Sequence, residues 1–110
     1  MSGKTLYSKD RFAEVVINLP VDLCLTYRVP PEVSDSVSVG KRVTVPLGSR
    51  RVGGFVTAYP VSPVKKSDRP LLSVDPDPPL FDAALVRLIR WVSRYYFCSF
   101  PRAFKTAIPA

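Results

Sequence analysis

Residues 41–59 read KRVTVPLGSRRVGGFVTAY, and this stretch decides the fold. Val43 and Val45 alternate with Arg42 and Thr44, the period of a half-buried strand. Pro46 cannot donate to a ladder, so it is expected at the end of that strand or at a sheet edge. Gly48 is a turn residue whose missing side chain permits a positive φ and lets a ligand approach the backbone. A longer strand, RRVGGFVTAYP, follows. Gly53 and Gly54 inside it predict a bulge or bend, the kink by which a small sheet curls into a barrel.

Working outward, VVINLP (15–20) is β-branched and apolar, and CLTYRVP (24–30) alternates Leu25 and Tyr27 against Thr26 and Arg28. Two strands are expected there, joined around Pro20 to Leu23. PPEVSDSVSVG (30–40) reads as a loop closing at Gly40, PVSPVKKSDRP (60–70) as a second loop, and LLSV (71–74) as a short strand. DPDPPL (75–80) reads as a stiff extended linker, because Pro fixes φ and disfavours helix in the residue before it.

Asp82 then stands as the N-cap of a helix over AALVRLIRWVSRYYF (83–97). Leu85, Leu88, Ile89, Val92 and Tyr96 form its expected apolar stripe, with Trp91 and Tyr95 adjoining and packing onto the barrel. Arg87, Arg90 and Arg94 fall on the opposite face, as a wet stripe or as a surface for phosphate or a neighbouring domain. The expected architecture is mainly β with one C-terminal α-helix, a small twisted β-barrel resembling an OB-fold. A flexible leader (1–11) precedes a single domain (12–110), with barrel 13–75, Pro-rich linker 76–80, helix 82–97 and a C-terminal segment.

The chain has 110 residues, 46% of them hydrophobic, enough for one core and too few for a motor enzyme. Its net charge of +7 favours a polyanionic partner. The charge is concentrated: residues 40–69 hold seven basic and one acidic residue. Apolar runs are broken well before the ~20 residues a membrane helix needs, so no membrane partner is expected and the reading is cytoplasmic. With Cys24 and Cys98 the only cysteines and no His, a zinc site lacks ligands, and imidazole catalysis is excluded. The two cysteines read as buried free thiols. VPLGSRRVGG lacks the Lys-Ser/Thr ending of a phosphate loop, so no ATP site, other cofactor or metal is expected.

The basic residues Lys41, Arg42, Arg50, Arg51, Lys65, Lys66 and Arg69 flank the aromatics Tyr27, Phe55 and Tyr59. Basic side chains neutralise phosphates while exposed rings stack on bases, which is how small barrels hold single strands. The strand aromatics are expected in the core, and the basic cluster is expected to bind nucleic acid.

Taken in order, CLTYRVP, VGKRVTVPLGSRRVGGFV, PDPPLF and LVRLIRWVSRYYFCSFPRAFKTAIP resemble the N-terminal DNA-binding domain of the primosomal protein N-prime (PriA) family. The resemblance covers roughly residues 13–110 and implies a bacterial, nucleoid-associated domain. It would capture the 3′ end of the nascent leading strand at stalled or repaired forks and target a replication-restart helicase. Without helicase lobes, the chain reads as an excised domain or a shortened homologue. Implied partners are DNA with a 3′ end at a branched fork, helicase domains of the same parent protein, other primosome proteins and single-strand-binding protein.

The family's terminal-nucleotide pocket falls, by position, on Leu25 and Thr26 beside Tyr27, on Gly48 and on Arg69, with Lys65 and Lys66 as further candidates for the cation. Leu25 stands where the family has an aromatic residue and Thr26 where it has an acidic one. The competing reading is a protein–protein adaptor that docks an acidic partner on the basic face, and a third is a generic single-strand binder.

Overall fold

The computed structural model describes residues 11–62, 69–95 and 99–108. Five strands form one antiparallel sheet: β1 (Arg11–Ile17), β2 (Cys24–Val29), β3 (Arg42–Leu47), β4 (Arg50–Val61) and β5 (Ser73–Val74), in the order β2-β1-β4-β3-β5. Two helices follow, α1 (Ala83–Tyr95) and α2 (Phe100–Ala107). The mainly β architecture expected from the sequence is therefore present, with one helix more than expected.

The ladder does not close on itself, but one segment hydrogen-bonds to both β2 and β3. Arg28 N–H donates to the Arg69 carbonyl at 3.0 Å and Leu71 N–H to the Arg28 carbonyl at 2.9 Å, which ties residues 69–71 alongside β2. From the next residue on, the same segment reaches β3, where Leu72 N–H donates to Thr44 at 2.8 Å and Asp75 N–H to Arg42 at 2.9 Å. The sheet is curled enough for one short stretch to reach from β2 to β3, the barrel-like shape expected for this strand pattern.

Strand alternation divides the core in two. Ala13, Val15, Ile17, Tyr27, Val29, Val43, Val45 and Val56 point inward, where Leu71 from the bridging segment joins them. Val16 and Phe55 point to the opposite face and meet Phe81, Val86, Ile89 and Phe104 of the helical layer. There Phe55, Phe81 and Phe104 pack with centroid separations of 6.2, 5.9 and 5.1 Å. Such tilted and edge-on pairs add about 0.5–1.5 kcal/mol each beyond the area they bury.

Gly53 and Gly54 do not bulge, because the register of β4 against β3 runs unbroken from Arg50 to Phe55. The irregularities of β4 lie further on, against β1, between the Phe12, Glu14 and Val15 pairings. Gly54 serves close approach instead: a Cβ there would lie 2.5 Å from Val15 Cγ1. Pro46 pairs with Arg51 next to the turn, at a strand end as expected.

The linker is anchored as well as stiff. Leu80 N–H donates to Gly40 at 2.9 Å, and the buried Lys41 places Nζ 2.7 Å from the Asp77 carbonyl. Lys41 is thereby withdrawn from the basic surface.

Asp82 caps α1 as expected, its Oδ1 accepting from Leu85 N–H at 3.0 Å. The expected apolar stripe is corrected by rotation. Val86, Ile89 and Ser93 are buried, while Leu88, Trp91 and Tyr95 are 55%, 58% and 64% exposed. Trp91 and Tyr95 therefore do not pack onto the sheet. The helix is turned so that Val86 and Ile89 bury in the cluster with Phe55 and Phe104, while Arg90 pairs with Glu14 and sits 4.0 Å over the Phe100 ring. Tyr96 and Cys98 lie outside the described residues.

The unexpected α2 begins at a signal that the proline obscured. Ser99 Oγ accepts from Arg102 N–H at 3.3 Å as its N-cap, and Pro101 sits in the first turn, where it needs no donor. Fully buried Phe104 fastens this helix, and Lys105 Nζ donates to the Leu19 carbonyl at 2.8 Å.

Candidate nucleic-acid interface

β3 and β4 are joined by the two-residue loop Gly48-Ser49, with Leu47 paired to Arg50. Gly48 has φ +63°, the left-handed region that a glycine at the first central position of a tight hairpin supplies without strain. A Cβ at Gly48 would meet nothing within 4 Å, so the turn presents bare, accessible backbone. Arg50 and Arg51 follow, both exposed.

Arg69 approaches the same turn from the bridging segment. Its Nη2 donates to the Gly48 carbonyl at 2.8 Å, although the two residues are 21 apart in sequence. Beneath them Tyr27 donates its hydroxyl to the Pro46 carbonyl at 2.7 Å. Burial pushes the Tyr27 phenol above its ordinary pKa, and the positive charge of Arg69 partly opposes this. Tyr27, Pro46, Gly48 and Arg69 thus form one constellation, with a floor from the inner core and a cationic rim.

The remaining residues singled out in the sequence are distributed around it. Leu25 shares the inner face with Tyr27 and packs against that core. Thr26 stands opposite Glu14 in the β1–β2 ladder, so the alternation turns its side chain to the other face of the sheet. Phe55 is buried in the helical layer, and half-buried Tyr59 donates its hydroxyl to Ser34 at 3.3 Å, so both serve as packing residues. Arg42 is exposed at the far end of β3, beside a groove lined by Thr44, Ser73 and Asp75. Lys65 and Lys66 lie outside the described residues. Among the described residues no group of His, Cys, Asp and Glu could hold a metal ion, and no helix is long and apolar enough to cross a membrane.

Residues 14–109 match the family described as 3′DNA-binding domain (3′BD) of PriA. The chain belongs to the PriA 3′BD family. This 3′BD chain is 30% identical over 104 residues to the replication restart protein PriA of Chlamydia trachomatis, a match covering 89% of the chain and 14% of that relative. It is 27% identical over 103 residues to the PriA of Treponema pallidum, covering 88% of the chain and 16% of the relative. A shorter match to the PriA of Bacillus subtilis is 38% identical over 50 residues, covering 43% of the chain and 6% of the relative. The chain thus spans a small fraction of the curated relatives it matches. As a 3′BD it is a DNA-binding domain rather than a catalytic one, and the strands, turn and helix that carried the resemblance all lie inside the matched region.

Two features had no signal in the sequence. The acceptor that orients Tyr27 is a backbone carbonyl, and every residue has one. The exposed side of α1 was hidden because the residues there are apolar, and apolar periodicity alone cannot say which way a helix is turned.

Proposed function

We propose that the domain recognises the 3′ end of a DNA strand at stalled or repaired forks and so targets a replication-restart helicase. The observation that carries this reading is the Arg69 guanidinium resting on the Gly48 carbonyl. It puts a cation beside a turn with no side chain, where a sugar can reach the backbone and a neighbouring phosphate can reach the charge. Tyr27 holds the turn from below through Pro46, with Leu25 beside it on the inner face of β2. Arg50 and Arg51, with Lys65 and Lys66, neutralise the phosphates that lead away from the end. The domain works as one unit in the bacterial cytoplasm at the nucleoid, joined to helicase domains of a longer protein and to further primosome partners.

The deciding experiment compares strands of one sequence ending in a 3′-hydroxyl or a 3′-phosphate. A terminal phosphate adds bulk and negative charge against the Gly48 carbonyl, where this reading seats the terminal sugar, so the hydroxyl form binds more tightly. Equal affinity of the unaltered domain for both strands defeats end recognition and leaves a general basic surface.

A further inference from the structure

Packing does not call for a glycine at position 53. Gly53 lies inside β4 opposite Thr44, its φ is outside the left-handed region, and among the described residues a Cβ there would meet nothing within 4 Å. Gly54 beside it is required by Val15, but Gly53 has no such neighbour. A glycine weakens the interior of a strand, because it has more backbone freedom to lose and no side chain to pack. Where the fold gives no reason for it, a strand glycine marks close approach of a ligand to the backbone.

The surface over Gly53 has the chemistry of such a site. Val43, Val45 and Val52 point to the inner core, so Arg42, Thr44, Arg51 and Gly53 share the opposite face, and Ser73 joins them across from Thr44. A groove of about 430 Å³ opens there, lined by Arg42, Thr44, Gly53, Ser73 and Asp75 among others. Arg42 lies 5.6 Å from the centroid of the Phe55 ring, and among the described residues no carboxylate pairs with it or with Arg51. The two arginines are four residues apart along the ladder, about 13 Å, with Gly53 between them. Asp75 is fixed on the wall of the groove by accepting from Asp77 N–H through Oδ1 at 2.9 Å.

We propose that an internal nucleotide of the bound DNA strand lies in this groove, its sugar against the bare backbone of Gly53 and its flanking phosphates on Arg42 and Arg51. Thr44 and Ser73 offer hydroxyls to sugar or base, and the acceptor-only Asp75 suits the amino edge of a base. An acidic peptide is the weaker occupant, since Asp75 would repel it. The proposal rests on the reading of Gly48 as the seat of the 3′ end. Gly48 is at the tip of the hairpin and Arg51 stands between it and the groove, so the strand runs from its end at the turn along the outer side of β3 and β4.

Oligodeoxycytidylates of two and eight nucleotides, each with a 3′-hydroxyl, separate the groove from the turn, because only the longer one reaches Gly53. Gly53→Val should bind the octamer about tenfold more weakly and the dinucleotide as the unaltered domain does. It should melt at or above the unaltered temperature, since a β-branched residue favours an open strand position. Arg42→Ala should lower the salt slope of octamer binding by about 0.7. Unchanged octamer affinity in Gly53→Val overturns the proposal. Equal weakening of dinucleotide and octamer also overturns it, by moving the effect to the end site. So does a lower melt in both Gly53→Val and Gly53→Ala, because the fold would then account for the glycine. Displacement of the octamer by poly-L-glutamate at equal charge overturns it too and assigns the groove to an acidic protein. If the unaltered domain shows no preference for a 3′-hydroxyl over a 3′-phosphate, end recognition alone fails, and the octamer loss in Gly53→Val still decides the groove.

Discussion

Arg90 of α1 and Glu14 of β1 are 76 residues apart in sequence and form an ion pair that ties the helical layer to the sheet. Glu14 also accepts from the Thr57 hydroxyl at 2.7 Å, and Arg90 lies over Phe100, so one pair touches β1, β4, α1 and α2. Both side chains are partly accessible, 36% for Arg90 and 25% for Glu14, which limits the electrostatic gain. A double-mutant cycle of Glu14→Gln and Arg90→Met should give a coupling of about 1 kcal/mol by chemical denaturation. The Arg90→Met protein should lose the ion pair and retain much of its packing against Phe100. Strictly additive losses would show that the pair contributes no net attraction.

Gly48 separates turn strain from ligand clearance. At φ +63°, Gly48→Val forces a β-branched residue into the left-handed region and should cost about 1–2 kcal/mol or more, although no atom obstructs the side chain. Asn tolerates that conformation, so Gly48→Asn should melt close to the unaltered protein while losing affinity for a 3′-hydroxyl strand. The comparison requires thermal denaturation and binding on the same samples. If Gly48→Asn binds as tightly as the unaltered domain, the turn backbone does not contact the terminal nucleotide.

Arg50 and Arg51 extend from the same hairpin into solvent. Each phosphate contact with a single strand contributes a slope of about −0.7 to the logarithm of affinity against the logarithm of salt. Replacing both by Ala should therefore flatten the slope by about 1.4, and adding Lys65→Ala and Lys66→Ala should flatten it further. Since the arginines are exposed, the thermal melt should hold. An unaltered slope would transfer the electrostatic contact to another surface.

Cys24 lies on the helix-facing side of β2, and burial together with the charge of Glu14 pushes its thiol up to about 12 from an ordinary value of 9.0. The thiolate is the reactive form, so at pH 8 the folded domain should resist alkylation at Cys24 and become labelled only on unfolding. Peptide mapping separates it from Cys98. Because the folded thiol binds its proton more tightly than the unfolded one, its contribution to stability is complete below pH 9 and lost as pH rises toward 12. A Cys24→Ser protein should show less of that alkaline loss. Rapid labelling of the native protein at pH 8 would contradict a buried, protonated thiol.

Local chemistry alone made much of this protein legible. Alternation in 24–30 and 41–59 located β2, β3 and β4, Gly48 marked the turn and Asp82 marked the start of α1, since strand period, turn geometry and capping involve only neighbouring residues. The family resemblance carried Gly48 and Arg69 to a common site, and the structure brings the two into contact. What the tertiary structure decided involves partners distant in sequence. The rotation of α1 buries Val86 and Ile89 in the cluster with Phe55 and sets Arg90 against Glu14, whereas its apolar periodicity was satisfied equally well by a stripe through Leu88 that proves exposed. The burial of Lys41 follows from a carbonyl at Asp77, and the sides of the sheet taken by Tyr27 and Thr26 follow from their pairing with β1. Gly54 read locally as a kink because a missing side chain looks the same whether the backbone bends or a neighbour approaches. The Val15 side chain that fills that space comes from 39 residues earlier in the chain.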